Sequence, residues 1–315
     1  MAATEPRRIL MTGASGFVGR HLVRALKTSF PGADILTEHF DVTDRNAVIR
    51  AVRDARPDAC IHLAGIASVV IANHEPDEAW RVNLHGALHV AEALLAAAPS
   101  CQLVFASSAE IYGASFRVGS PLDESALLAP MNPYAASKAA ADLALGAMAD
   151  KGLRAVRLRL FNHTGPGQSE TFVAPAFARQ IALIEAGRQP PVLRAGALDR
   201  LRDFVDVRDV CQAYVACLRD ATRLAPGTIV NIASGVPRRI GDILDALLDM
   251  AGLRVEIVTE NALQRPSEIV SASGNAARAC QLLGWKPTVP WTQTLADVLS
   301  DWREQAPNAA VSDAR

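Results

Sequence analysis

The chain has 315 residues, 50% of them hydrophobic and 21% charged, a balance that supports a buried core and excludes general disorder. Its 32 basic and 33 acidic residues leave a net charge of −1, with no electrostatic footprint for nucleic acid or an anionic membrane. At about 150 residues per domain, the length suits one large domain or two smaller ones.

In chain order, Arg8–Thr12 reads as a strand and Phe17–Ser29 as a helix. Ala33–Thr37 is a second strand. The helix Arg45–Ala55 stops before Pro57, because a residue preceding proline avoids the α region. Ala59–Leu63 is a third strand, Pro76–Ala98 a long helix and Gln102–Ala106 a fourth strand. Asn132–Lys151 is another long helix and Ala155–Leu160 a further strand. Short apolar runs alternating with helices imply an α/β fold with a doubly wound parallel sheet.

The rhythm changes after Asn162. His163–Ser169 is a Gly/Pro loop, Val173–Ala186 a helix, and Gln189–Leu193 with Ala195–Gly196 a strand and turn. Phe204–Val205 opens another βα passage, with Val210–Arg219 helical. Then come strand Ile229–Ala233, helix Ile240–Ala251, strand Val255–Val258, and helices Asn275–Leu283 and Thr292–Glu304. A smaller C-terminal α/β lobe is expected, with the chain crossing between the two parts more than once.

No apolar stretch reaches the ~20 residues that span a bilayer, and no long apolar run precedes Gly13, so no membrane segment or secretion signal is expected. Cys60, Cys101, Cys211, Cys217 and Cys280 are scattered without a C-x-x-C pair. They read as buried thiols in a reducing cytoplasm rather than as a zinc site or disulfide framework, and no metal is expected.

Gly13-Ala-Ser15-Gly16-Phe17-Val18-Gly19 follows a strand and opens a helix. Glycines permit the turn and the approach of a pyrophosphate, and the helix start offers free N–H groups and a positive dipole end. The spacing, G-x-x-G-x-x-G, points to NAD(H) or NADP(H). Glu38 near the end of the second strand would grip an adenosine ribose, whereas Arg20 would welcome a 2′-phosphate, so both cofactors stay open. Asp41-Val42 fits a place near the adenine ring; Asp44 serves equally well as the cap of the next helix.

Tyr134 and Lys138 stand four apart at the start of a helix, on one face. An ammonium near a phenol lowers the tyrosine pKa from ~10 toward neutrality, which makes an acid for protonating a carbonyl oxygen. Such a pair is common on helix surfaces. About 120 residues after a glycine-rich βα turn, it gains meaning.

With these residues in place, the chain from about residue 8 to 304 resembles the extended short-chain dehydrogenase/reductase family. The resemblance implies a Rossmann-like NAD(P)-binding domain of residues 1–165 plus about 200–235. A sugar-nucleotide lobe would take 166–199 plus about 236–315. His62-Leu63-Ala64-Gly65 resembles the turn beneath the cofactor, and Asn83-Leu-His-Gly86 the helix asparagine that supports the active-site helix. Leu63, Ala64, Gly65, Asn83 and Phe161 thereby join Tyr134, Lys138 and the phosphate loop as implied cofactor contacts. Ser107-Ser108-Ala-Glu110-Ile-Tyr-Gly113 is similar to the family's S-S-x-x-x-Y-G strand end, which makes Ser108 catalytic.

The second half is similar to the family's reductases of a GDP-linked 4-keto-6-deoxy sugar. By that resemblance Asn162, Arg202 and Arg265 meet the diphosphate, Phe172 and Val173 flank the guanine, and Glu268 accepts the ribose hydroxyls. Arginine's planar fork suits phosphate; alone, Arg202-Asp203 would read as a solvated ion pair. Asp206 and Asp209 read as caps. Glu110 occupies the place of the proton-abstracting glutamate of the family's dehydratases, but Ala109 stands where those carry Asp, Ser or Thr. A 4,6-dehydratase or 4-epimerase is therefore the alternative. The two long helices resemble a pair that forms a four-helix bundle across a homodimer axis. Their faces (Ala87, Val90, Ala91, Leu94; Ala139, Ala140, Leu143, Ala147) would equally suit packing on their own sheet.

Overall fold

The computed structural model describes residues 5–260 and 269–306. The elements run β1 (Arg8–Thr12), α1 (Phe17–Ser29), β2 (Asp34–Leu36), α2 (Arg45–Ala55), β3 (Ala59–His62), α3 (Val69–His74), α4 (Pro76–Trp80), a π-helical turn (Arg81–Gly86) and α5 (Ala87–Ala97). There follow β4 (Gln102–Ser108), a 3-10 segment (Ala109–Val118), α6 (Pro133–Met148), β5 (Ala155–Leu160), β6 (Asn162–Thr164), α7 (Val173–Glu185), β7 (Val192–Ala195) and β8 (Leu201–Asp206). The chain continues with α8 (Val207–Arg219), β9 (Thr228–Ile232), β10 (Pro237–Arg239), α9 (Ile240–Ala251), β11 (Glu256–Thr259), β12 (Ser271–Ala272), α10 (Ala277–Leu283) and α11 (Trp291–Gln305).

Six parallel strands form the central sheet in the order β2-β1-β3-β4-β5-β9. Side chains alternate across it, as the two-residue period of a strand requires. Ile9, Met11, Ile61 and Val104 pack against Leu22 and Leu26 of α1 and Tyr214 of α8. Leu10, Cys60, Leu103 and Phe105 pack on the other side against Val52, Leu94 and Leu145 of α2, α5 and α6. The fold is thus a doubly wound, Rossmann-like sheet. The strand order reverses between β1 and β3, where such sheets bind ligands beyond their carboxyl ends. A second core forms where Phe177, Ile181, Leu244 and Leu295 of α7, α9 and α11 meet Phe204 of β8. Beside it, β8 pairs with β10, β12 and β6, and β7 pairs with β11. Among the described residues no helix is long and apolar enough to cross a membrane.

Several boundaries differ from expectation. The helix expected over Pro76–Ala98 is present as continuous helical backbone from Pro76 to Ala97 that widens into a π turn at Arg81–Gly86, and α3 precedes it. Pro76 lacks the N–H that would continue α3. Gly86 lies so close to Val42 that a Cβ would sit 2.8 Å from its Cγ2. The strand expected at Gln189–Leu193 is shifted to Val192–Ala195, where β11 provides a partner. The helix expected from Val210 begins at Val207, capped by Asp206, whose carboxylate accepts the Arg208 N–H at 2.7 Å. Asp209 is not a cap. It is buried, accepting from Thr288 Oγ1 at 2.8 Å and the Val289 N–H at 3.0 Å. Asp44 does cap α2, accepting from Asn46 and Ala47 at 2.9 and 3.2 Å.

On α5, Ala87, Val90, Ala91 and Leu94 are consumed by the chain's own core. On α6, Ala139 is buried whereas Leu143 is 58% exposed and Ala147 is exposed as well.

Candidate active site

The loop after β1 is shaped by contacts that only glycine allows. Gly13 has φ +71, and a Cβ there would lie 2.7 Å from the Ala64 nitrogen. A Cβ on Gly19 would lie 2.3 Å from the Gly13 oxygen. These two glycines fold the turn and seat α1 on it. Gly16 starts α1 with no side-chain cap and no acidic residue in the first turn. The first N–H groups of the helix are therefore left to an outside anion, and the residues present fit a pyrophosphate. Ser15 is exposed, and Phe17 and Val18 are half-buried. Arg20 is exposed and turns its guanidinium to two backbone carbonyls. It donates to the carbonyls of Ser15 and Gly167 at 2.8 and 2.9 Å, stitching the loop to the segment after β6. Glu38 is exposed near the end of β2. Asp41 accepts from the Thr43 N–H and hydroxyl, both at 2.8 Å, which hold its carboxyl below the usual range. Val42 is buried beneath it, with His89 on its carbonyl.

The turn after β3 is held from below. Thr12 Oγ1 hydrogen-bonds His62 Nδ1 at 2.7 Å and accepts the Ala64 N–H at 3.2 Å. Burial, with the Lys138 ammonium nearby, pulls the His62 pKa down to about 3, so the ring is neutral. Gly65 leaves room for Asn83, whose Oδ1 would be 2.8 Å from a Cβ there. The buried Asn83 amide accepts from the Ile66 N–H at 2.9 Å and donates to the Ile66 carbonyl and Ser137 Oγ at 3.2 and 3.0 Å. One side chain thus ties the Leu63-Ala64-Gly65 turn to α6. Asn83→Ala should cost about 1–3 kcal/mol, read from chemical unfolding, because it strands buried partners. Thr12 and Ser137 are not singled out in the sequence, and His62 only as the first residue of its turn. Their signal is polar residues at adjacent strand ends and one turn into α6.

Asn132 caps α6 by accepting the Ala135 N–H at 2.8 Å, which aims the first turn, with Tyr134, at the end of β4. The half-buried Tyr134 phenol faces Ser108, which favours its ionised form. Ser108 is 7% exposed and accepts the Glu110 N–H at 3.2 Å. Glu110 itself is exposed. Lys138 is buried, donates to the Ala106 carbonyl, and lies 4.6 Å from the centre of the Phe105 ring.

The expected lowering of the phenol pKa by Lys138 does not hold. Burial pushes Tyr134 up to about 12; the Ser108 hydroxyl opposes this and the Glu110 carboxylate adds to it. The ammonium is engaged by a carbonyl and an aromatic face instead. Burial pulls Lys138 down to about 8 against the opposing pull of Asp142. Below that pH the group is an ammonium and above it a neutral amine. The free-enzyme kcat/KM for the nicotinamide cofactor should therefore fall as pH rises through about 8, as initial rates across the neutral and alkaline range will test.

Residues 9–233 match the model of the NAD dependent epimerase/dehydratase family. The chain belongs to that family. A curated relative in Pseudomonas aeruginosa, a GDP-6-deoxy-D-mannose reductase, is 36% identical over 95% of this chain and 98% of its own. A UDP-glucose 4-epimerase of Azospirillum brasilense is 30% identical over 90% of this chain and 88% of its own. Among solved structures, RMD from Pseudomonas aeruginosa complexed with NADPH superposes with a TM-score of 0.87. It is 34% identical and covers 95% of this chain and 99% of its own.

In this epimerase/dehydratase chain the second-half residues fall into three groups. Asn162, at the start of β6, and Phe172, 36% exposed just before α7, are open to solvent, and Val173 is half-buried. Arg202 on β8 donates to the carbonyls of Leu201, Val270 and Ile269 at 2.8, 3.4 and 3.3 Å. Arg265 and Glu268 lie outside the described residues. The Phe161 ring is buried beside Tyr112 and Phe116.

Proposed function

We propose that the protein reduces the 4-keto group of GDP-4-dehydro-6-deoxy-D-mannose with NAD(P)H, giving GDP-D-rhamnose. The observation that carries this is the placing of the Tyr134 phenol against Ser108 at the end of β4, with Lys138 one turn along α6, in a chain 36% identical to a GDP-6-deoxy-D-mannose reductase. Gly13, Ser15, Gly16, Phe17, Val18 and Gly19 would hold the cofactor's diphosphate. Asp41 and Val42 would meet the adenine side, and Leu63, Ala64, Gly65 and Asn83 would form the floor. When bound, NAD(P)H supplies the hydride. Tyr134, kept protonated by burial, donates the proton to the oxygen on C4. Ser108 orients that oxygen, and Lys138 holds the cofactor's sugar and its charge. Asn162, Arg202 and Arg265 would take the GDP diphosphate, Phe172 and Val173 the base, and Glu268 the ribose. The elements α7, α9 and α11 with β8, β10 and β12 would make up the sugar-nucleotide lobe. A homodimer through α5 and α6 would cover Leu143 and Ala147. With four of its five cysteines buried as free thiols, the enzyme suits the cytoplasm.

Mixing the protein with the GDP-ketosugar and NADPH or NADH should consume the near-ultraviolet absorbance of the reduced nicotinamide. NMR of the product should show the rhamno configuration. No turnover with either cofactor overturns the assignment. Glu110, whose carboxylate acts electrostatically on Tyr134, supports a second reading as a dehydratase. That enzyme would convert GDP-mannose to the ketosugar with no added reductant.

A further inference from the structure

The helix that presents Tyr134 and Lys138 carries a third polar residue in phase with them. Asp142 stands one turn beyond Lys138, and its side chain is fully buried. Every partner it has is aimed at it from the sheet. Ser107 donates its hydroxyl to Oδ2 at 2.6 Å. Arg157 Nη1 donates to Oδ1 at 3.0 Å and to the Asp142 carbonyl at 2.8 Å. Arg159 donates to Oδ1 through Nη2 at 3.0 Å and to Oδ2 through Nε at 3.4 Å. Arg159 then reaches Tyr112 Oη at 3.0 Å and the Glu124 carbonyl at 3.1 Å. Tyr112 in turn donates to Asn231 Oδ1 at 2.7 Å. One carboxylate therefore joins α6, β4 and β5, and through Tyr112 it reaches β9.

Two consequences follow for the candidate site. Ser107 precedes Ser108, so the hydroxyl bound to Asp142 and the hydroxyl facing Tyr134 project from neighbouring residues of one strand end. Fixing the first fixes the second. Asn83 anchors α6 through Ser137 on one side, and Asp142 anchors it to β4 on another. The charges also matter. Asp142 acts by charge on Lys138, one turn away on α6, and pairs with Arg157 and Arg159 from β5, while Lys138 acts in turn on His62 from β3. Of these groups only Asp142 carries a negative charge at neutral pH. Losing it would leave three buried cations together.

We propose that Asp142 is a positioning residue of the reduction: through Ser107 it sets the strand end bearing Ser108 against α6, and through Arg157 and Arg159 it fixes that helix on β5. The rate measurement rests on the reductase assignment, which turnover by the wild type tests first. Binding of NAD(P)H, followed by its fluorescence across pH, needs no sugar. An enzyme inactive on the ketosugar therefore overturns the assignment without silencing the test of Asp142.

The test compares Asp142→Asn, which keeps shape and removes charge, with Ser107→Ala, which keeps charge and removes one hydrogen bond. Asp142→Asn should lower kcat about ten-fold with the KM for the sugar little changed. It should also move the alkaline fall of kcat/KM and of cofactor binding to lower pH by about one unit. Ser107→Ala should lower kcat similarly while leaving the pH profile in place. Wild-type kcat and pH profile in a folded Asp142→Asn protein, with only thermal stability lost, overturns the proposal. Should Asp142→Asn fail to fold, a Ser107→Ala enzyme with wild-type kcat overturns it just as well.

Discussion

Tyr134→Phe is expected to lower kcat by about 10²–10⁴-fold while leaving NAD(P)H binding and stability close to wild type. The ring keeps its place at the start of α6, because Asn132 caps the helix through the Ala135 N–H and Lys138 is anchored independently on the Ala106 carbonyl. What disappears is the phenolic proton. That proton is well retained at neutral pH, since burial raises the phenol to about 12. The tyrosine is therefore an acid that gives up its proton only when negative charge develops on a substrate oxygen next to it. Ser108 loses the phenol beside it but still accepts the Glu110 N–H. Single-turnover rates with cofactor titration separate the chemical step from binding. A Tyr134→Phe protein reducing the ketosugar at near wild-type rate would remove Tyr134 from the mechanism.

The second large effect is expected from Gly19→Ala. Its Cβ would lie 2.3 Å from the Gly13 oxygen, 2.5 Å from the Ala14 oxygen and 2.7 Å from the Ala14 carbonyl carbon. All three atoms are backbone, so no side chain can swing away. Either α1 lifts from the sheet or the turn opens. The first disturbs Leu22 and Leu26 in the core, and the second scatters the N–H groups meant for the diphosphate. Overpacking of this kind costs about 1–3 kcal/mol, and cofactor affinity should fall ~10-fold or more. Gly16→Ala is the control. There the nearest atom to a new Cβ is the Gly13 oxygen at 3.2 Å, which calls for a shift of a few tenths of an ångström. Thermal unfolding and NADPH titration of both variants check the order. Equal affinities for wild type and Gly19→Ala would show that this turn does not carry the diphosphate.

Local features of the site were legible in the sequence. The strand, glycine loop and helix at residues 8–29 follow from glycine spacing and helical periodicity, and both ends lie where expected. So do the capped α6 and the i, i+4 placement of Tyr134 and Lys138. The interior of the site was less legible. Ala155–Leu160 alternates Val, Arg, Leu and Arg, the pattern of a strand with one wet face. In the structure all six of its residues are buried. The reason is Asp142, whose carboxylate pairs with both arginines from the opposite side of a helix–sheet boundary. Likewise Pro76–Ala98 has the composition of one helix. Within it lies a π turn at Arg81–Gly86, where Asn83 is buried and bonds Ser137, 54 residues away. The 3-10 segment after Ser108 was not expected either. It bends at Gly113, where φ is +45 and a Cβ would meet the Ala129 oxygen at 1.9 Å.

The sequence by itself determined the order of the βα units, the glycine turn after β1 and the placing of Tyr134 and Lys138 on one face of α6. Each of these depends on residues within one or two turns of one another. The tertiary structure alone decided the state of those groups: that Lys138 rests on Ala106 and Phe105, that the phenol is driven up rather than down, and that Arg20 is spent on two carbonyls. Burial and long-range pairing set the cost of a charge, and neither can be read from neighbours along the chain.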